Sequence, residues 1–144
     1  VQTCALPICS GICAMIAARN ALNLKTQIIG VASAGAPAIA MSFAARRLLT
    51  NPVTTRIADG LACSTPNADA LEHIFQGVER IVSVTDDEIE AAIRAFFTDT
   101  HNVAEGAVAS AVAAVLKEKP SGRVGMVCTG SNIDRAVISR ILAG

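Results

Sequence analysis

Apolar residues fall along this chain in short blocks of two kinds, and the two kinds alternate. Over residues 11–22, Ile12, Met15 and Ile16 recur with Ala14, Ala17, Ala18 and Ala21 at helical spacing and predict a buried helix. Asn23, Lys25 and Thr26 end it. Residues 27–31 form a short apolar run bounded by a polar turn, as in a buried strand. Gly35 and Pro37 punctuate the chain before an Ala-rich helix that closes on Arg46 and Arg47, two cations suited to a helix C-terminus. Residues 51–66 are loop-rich, and Thr65 followed by Pro66 predicts an N-cap and first helical position for a helix reaching about Gln76. A β-branched strand follows over residues 81–84. Thr85 and Glu88 have the spacing of a capping box, and behind them Ile89, Ile93, Phe96 and Phe97 share one helix face. Residues 105–119 read as an Ala/Val-rich helix, broken over 120–122, and residues 124–128 as a strand. Thr129 to Asn132 then lead into a last amphipathic helix carrying Ile133, Val137, Ile138 and Ile141.

Buried strands that alternate with helices predict an α/β fold, three layers deep (α/β/α), with a mostly parallel sheet. In such folds functional groups gather beyond the carboxyl ends of the strands. That directs attention to residues 32–37, to the loop around Asp59 and Gly60, and to residues 129–132. No complete catalytic triad, Walker loop or dinucleotide fingerprint occurs.

Composition narrows the function classes. At 144 residues the chain has room for one domain and a sizeable core. Twelve basic and twelve acidic side chains cancel, so no global field draws the chain to nucleic acid or an anionic membrane. With no Trp or Tyr and four Phe, a base-stacking surface is not expected. The longest uncharged stretch, residues 26–45, is interrupted by Gly30, Gly35 and Pro37 and reads as strand, turn and helix rather than a membrane span. No signal peptide is evident, and Cys4, Cys9, Cys13, Cys63 and Cys128 match no zinc or iron–sulfur spacing, so free thiols in the cytoplasm are expected. Asp86, Asp87, Glu88 and Glu90 read as acids complementing a helix N-terminus rather than a metal site. A mean hydropathy of +0.50 is high for a chain of this size and predicts that some of its surface needs a cover.

Three segments together carry a family resemblance: Ile-Ala-Asp-Gly-Leu-Ala at 57–62, Val-Ser-Val-Thr-Asp-Asp-Glu-Ile at 82–89 and Cys-Thr-Gly-Ser-Asn-Ile-Asp at 128–134. In this order and spacing they resemble the serine/threonine dehydratases, pyridoxal-phosphate lyases of the tryptophan-synthase-β fold type. Asn-Val-Ala-Glu-Gly-Ala at 102–107 resembles a further segment of that family, and Cys9, Ser10 and Gly11 the tail of its phosphate loop. A phosphate at a helix N-terminus is met there by backbone N–H groups.

The resemblance implies a cofactor, pyridoxal 5'-phosphate, an amino-acid substrate, L-threonine or L-serine, and β-elimination to a 2-oxo acid and ammonia. It places Thr129 at the pyridine nitrogen, the backbone of Gly60 against the cofactor, and Glu105 near cofactor and substrate. It implies a homo-oligomer when intact. Asn132 is expected to cap the last helix. The divalent-cation site of some members is not expected, because Ala32 and Ala38 stand at the matching positions with Ala36 between. Ser131 and Val108 replace family glycines.

The first eight residues, Val-Gln-Thr-Cys-Ala-Leu-Pro-Ile, look like an in-frame translation of a sequencing adapter. Residues 1–8 are therefore set aside as non-native, and residues 9–144 are expected to be the C-terminal part of the large cofactor-binding domain. The family's glycine run, its cofactor-bearing lysine and its pyridine-hydroxyl asparagine would precede Cys9. Lys25, Lys117 and Lys119 sit at a turn and a helix end with nothing to desolvate them, so the chain is expected to be inactive alone. Residues 32–37, Ala-Ser-Ala-Gly-Ala-Pro, resemble a branch that includes hydroxyectoine-pathway dehydratases. A β-replacement synthase of the same fold type and a non-catalytic α/β binding module are the remaining alternatives.

Overall fold

Four parallel strands, Gln2–Ala5 (β1), Gln27–Ser33 (β2), Arg80–Val84 (β3) and Val124–Met126 (β4), form one sheet in the order β3-β2-β1-β4. Among the described residues six helices complete the fold: Ser10–Ala21 (α1), Ala38–Ala45 (α2), Ala68–Gly77 (α3), Asp86–Thr100 (α4), Gly106–Glu118 (α5) and Arg135–Ala143 (α6). A single 3₁₀ turn spans Asp59–Leu61. The structure, a computed structural model, describes residues 10–144 and the backbone of 2–5.

Alternation along β2 and β3 divides the apolar residues between two cores, because successive side chains of a strand point to opposite faces. Ile29, Val31, Val82 and Val84 join α4, α5 and α6 through Ile89, Ile93, Val108 and Ile141. Ile28 and Ile81 join α1, α2 and α3 through Ile12, Ile16, Ile74, Val78 and Phe43. Helices on both faces of a parallel sheet give the three layers expected from the alternating blocks.

The strand order departs from the sequence reading at one point. That reading sets residues 1–8 aside from the fold, yet Gln2–Ala5 pair with β2 on one side and β4 on the other. Strand pairing is made by backbone N–H and C=O groups, so an unusual sequence is no bar to it. The thiols of Cys4 and Cys9 and the residue Cys9 of the expected phosphate-loop tail lie outside the described residues; Ser10 and Gly11 open α1.

Helix boundaries follow the capping chemistry. Thr85 accepts from the Glu88 amide while the Glu88 carboxylate accepts from the Thr85 amide, completing the expected capping box of α4. The N-cap of α3 is Asn67, whose Oδ1 accepts from the Ala70 amide, rather than Thr65. A side-chain acceptor nearer the apolar stripe of Leu71 and Ile74 wins over the Thr-Pro pair. Position Asp134 caps α6 without a side-chain bond, and Asn132 does not cap it.

Two further expectations change. In α1 only Ile12 and Ile16 are buried, while Ala14, Ala17, Ala18 and Ala21 are exposed. Alanine favours a helix in either environment, so its abundance marks the helix and not its burial. Arg46 is the left-handed C-cap of α2, and its guanidinium lies 5.3 Å from the Phe43 ring centre and 5.2 Å from that of Phe75. It also donates to the Phe75 carbonyl at 2.7 Å, so it ties α2 to α3 besides complementing a helix end. Leu22, Leu24 and Leu116 are each more than half exposed, in line with the high mean hydropathy. No helix among the described residues is long and apolar enough to cross a membrane.

Candidate functional site

The segment from residue 51 to the 3₁₀ turn has no regular backbone bonding of its own, so neighbours must hold it. The amides of Thr54 and Thr55 donate to the Gly35 carbonyl at 2.6 and 3.3 Å. The Thr55 hydroxyl donates to Asp86 Oδ1 at 2.6 Å, and the Arg56 amide donates to Asp86 Oδ2 at 2.8 Å. The Ala58 amide donates in turn to Thr55 Oγ1 at 3.3 Å. Ala58 and Leu61 are then buried in the larger core.

This segment lies tightly on the start of α5. A β-carbon at Gly106 would fall 1.9 Å from the Ile57 carbonyl oxygen, and one at Gly60 would fall 2.7 Å from Ala107 Cβ. Only glycines permit backbones to approach so closely. Glu105 occupies the N-cap position of α5 without a side-chain capping bond. Its amide donates to the Gly130 carbonyl at 3.3 Å, which draws the loop after β4 onto the same spot.

Between these three segments is a cavity of about 200 Å³ whose lining includes Arg56, Asp59, Gly60, Glu105, Asn132 and Asp134. Gly60 and Glu105, predicted from separate motifs, therefore meet at one cavity. Thr129 does not line it: the residue is exposed and reaches the site through its neighbour Gly130. Asn132 lines the cavity instead of capping α6. Arg56, Asp59 and Asp134 were missed as lining residues. Arg56 and Asp59 flank or fall within the motif that contains Gly60, and adjacency to it is the signal that could have found them.

Asp86, Glu88 and Glu90 of the acidic run take separate partners. Glu88 lies below the ordinary glutamate value of 4.5 because the Thr85 amide, and then the Lys117 ammonium, favour its charged form. Glu90 is lowered by hydrogen bonding from Arg140, its partner at 2.7 Å. Among the described residues no group of His, Cys, Asp and Glu could hold a metal ion, and Ala32, Ala36 and Ala38 are buried. Cys63 and Cys128 are free thiols, and the Cys13 thiol donates to the Ala70 carbonyl at 3.6 Å.

The sheet order explains why this place is special. The chain steps outward from β1 to β2 to β3, then returns to add β4 on the far side of β1. Ligands of open parallel sheets bind where the order reverses, beyond the carboxyl ends of the strands. The start of α1 and the loop with Thr129 and Gly130 follow the two strands that flank this reversal.

Comparison with known proteins agrees with that geometry. The chain is 35% identical over 119 residues to an L-threonine ammonia-lyase of Geobacter sulfurreducens, covering 81% of this chain and 30% of that protein. It is 35% identical over 122 residues to a phenylserine dehydratase of Ralstonia pickettii, covering 82% of this chain and 37% of the relative. The chain thus spans about a third of the length of these curated relatives. A solved threonine deaminase of T.th. superposes with a TM-score of 0.85 at 27% identity, covering 92% of this chain and 50% of that one. A family model described as pyridoxal-phosphate dependent enzyme matches residues 1–130, a range that takes in β1 and the cavity-lining residues of the first two segments, 56–60 and 105–107. By this match, and by the fold that goes with it, the chain belongs to the family of pyridoxal-phosphate dependent enzymes.

Proposed function

We propose that this chain is part of an ammonia-lyase that converts L-threonine or L-serine to a 2-oxo acid and ammonia by β-elimination. The observation that carries this reading is the meeting of Gly60, Glu105 and the loop of Gly130 and Asn132, which come from three separate segments in the order of the dehydratase motifs. The L-threonine ammonia-lyase relative supports the reaction class. The phenylserine dehydratase supports a hydroxy amino acid more broadly, and the resemblance of residues 32–37 gives a hydroxyectoine-pathway substrate as the second reading.

The residues present fit one side of the family's cofactor. Gly60 lines the cavity with no side chain to fill it, and a hydroxyl stands at Thr129 after the strand β4. When bound, pyridoxal phosphate supplies the electron sink that eases loss of the α-proton. In this reading Thr129, beside the cavity lining, would offer the pyridine nitrogen a neutral hydroxyl rather than a carboxylate. That choice favours elimination over transamination. Gly60 would present backbone rather than side chain to the ring, and Glu105 would stand near cofactor and substrate.

The lysine that carries the cofactor is read as lying outside these residues. Lys117 Nζ donates to the Ser83 carbonyl at 2.9 Å and pairs with Glu88, and no lysine lines the cavity among the described residues. Residues 9–144 are accordingly proposed as the C-terminal part of the large domain and residues 1–8 as foreign to it. Upstream genomic sequence decides both points. The intact enzyme is proposed to act as a homo-oligomer in the cytoplasm.

Titrating the isotope-labelled chain with pyridoxal phosphate tests the site. Amide shifts confined to Gly60, Glu105 and residues 129–132 are expected; their absence, with an unchanged melting temperature, favours a non-catalytic binding module. Formation of 2-oxobutanoate from L-threonine by the chain alone, above a protein-free blank, overturns the proposal that it is inactive alone.

A further inference from the structure

We propose that Asp86 is a positioning residue for this pocket, clamping residues 55–60 so that Gly60 is presented to the cavity; its role in catalysis rests on the reading above. The sequence accounts for Asp86 as one acid among several at a helix start. The structure gives it a second task. Both carboxylate oxygens are engaged across the fold, Oδ1 by the Thr55 hydroxyl at 2.6 Å and Oδ2 by the Arg56 amide at 2.8 Å.

The chemistry of the pair sets its direction. The single Thr55 proton is committed to Asp86, which leaves an oxygen lone pair for the Ala58 amide at 3.3 Å. Three anchors, at residues 55, 56 and 58, then fix the backbone that enters the 3₁₀ turn bearing Gly60. Asp86 is itself rigid, since it opens α4 directly after β3 and the capping box surrounds it. Asp87, next along and exposed, makes none of these contacts, which separates a clamp from a general helix-dipole effect.

An asparagine at this position keeps the size but offers one acceptor oxygen and an NH₂ group to two donors, so one donor must face another. Asp86→Asn is therefore expected to speed hydrogen exchange at the Arg56 and Ala58 amides about tenfold or more, with exchange at Ile93 and Ala111 unchanged. Thr55→Val should reproduce the effect at Ala58 and not at Arg56, and serves if the first variant folds poorly. The double variant should show less than the sum, because the two residues share one network.

The pyridoxal-phosphate concentration that half-saturates the Gly60 shift should rise about tenfold in Asp86→Asn with the same end point, and stay unchanged in Asp87→Asn. Unaltered exchange at Arg56 and Ala58, or equal effects of the two aspartate variants, overturns the clamp. If the unsubstituted chain shows no cofactor-dependent shift, the functional reading fails, and the exchange data still decide the clamp.

Discussion

Glu105 and Gly130 meet through both backbone and side chain. The Glu105 amide donates to the Gly130 carbonyl at 3.3 Å, and a β-carbon on Gly130 would lie 2.7 Å from Glu105 Oε1. The start of α5 and the loop after β4 are thereby one wall of the cavity, although 25 residues separate them (130 minus 105). Whatever moves the loop moves the carboxylate.

The two glycines of this wall should respond differently to alanine. At Gly106 the added carbon strikes the Ile57 backbone oxygen at 1.9 Å, and backbone cannot swing aside. A loss of about 3 kcal/mol is expected for Gly106→Ala. At Gly130 the obstacle is the end of a flexible side chain, so Gly130→Ala should cost less than about 1 kcal/mol while displacing the Glu105 carboxylate. Urea denaturation with side-chain carboxyl shifts checks both; equal losses would show that the wall is softer than its geometry.

Acid should unfold the chain through its paired glutamates. Glu88 is lowered chiefly by the Thr85 amide, Glu90 by Arg140 and Glu118 by Arg80. A carboxylate held below its unfolded value contributes stability above that value, and the contribution is lost as pH falls through the folded one. Stability is thus expected to be level near neutrality and to decline below about pH 4.5, the ordinary glutamate value. Glu88→Gln keeps an acceptor for Thr85 and should flatten that decline in part, whereas Glu88→Ala should cost about 1 kcal/mol at pH 7 by opening the capping box. Melts across pH 3 to 7 (about that span) read all three proteins.

Arg46 joins two helices with one side chain. Its guanidinium stacks against Phe43 and Phe75 and donates to the Phe75 carbonyl. Arg46→Ala should cost about 1–2 kcal/mol, and Arg46→Lys most of that, because an ammonium lacks the planar face. Insensitivity of the lysine variant to 1 M salt (about the level that screens exposed charge) would separate stacking from simple charge.

Removing residues 1–8 should divide the sheet. β4 pairs with β1, and β1 joins it to β2, so the shortened chain leaves β4 without its only strand neighbour among the described residues. Such edges promote association. Loss of a cooperative melt and a shift to larger species by light scattering are the expected outcomes. An unchanged melt would mean that α6, held by Arg140 to Glu90 and by Arg94 to the Ile141 carbonyl, suffices to keep the C-terminal segment in place.

Periodicity alone determined much of this protein. The short apolar run at residues 27–31 and the β-branched one at 81–84 marked two strands, and Thr85 with Glu88 sets a helix start by local bonding. The parallel α/β class followed from their alternation with helices. Motif order likewise brought Gly60 and Glu105 forward before any coordinates. Burial of α1 and the caps of α3 and α6 were misread, because alanine is neutral toward burial and because several residues in a row can cap a helix.

Strand order, the place of β1 and the contacts across the cavity were decided by tertiary structure. Backbone pairing is nearly blind to side-chain identity, so nothing in residues 2–5 announced a strand between β2 and β4. Asp86 gave no sign of Thr55, 31 positions away, since a hydrogen bond depends on where two groups arrive and not on how far apart they are written. The local code specified the elements; their assembly, through close backbone contacts at Gly106 and Gly130, made them a site.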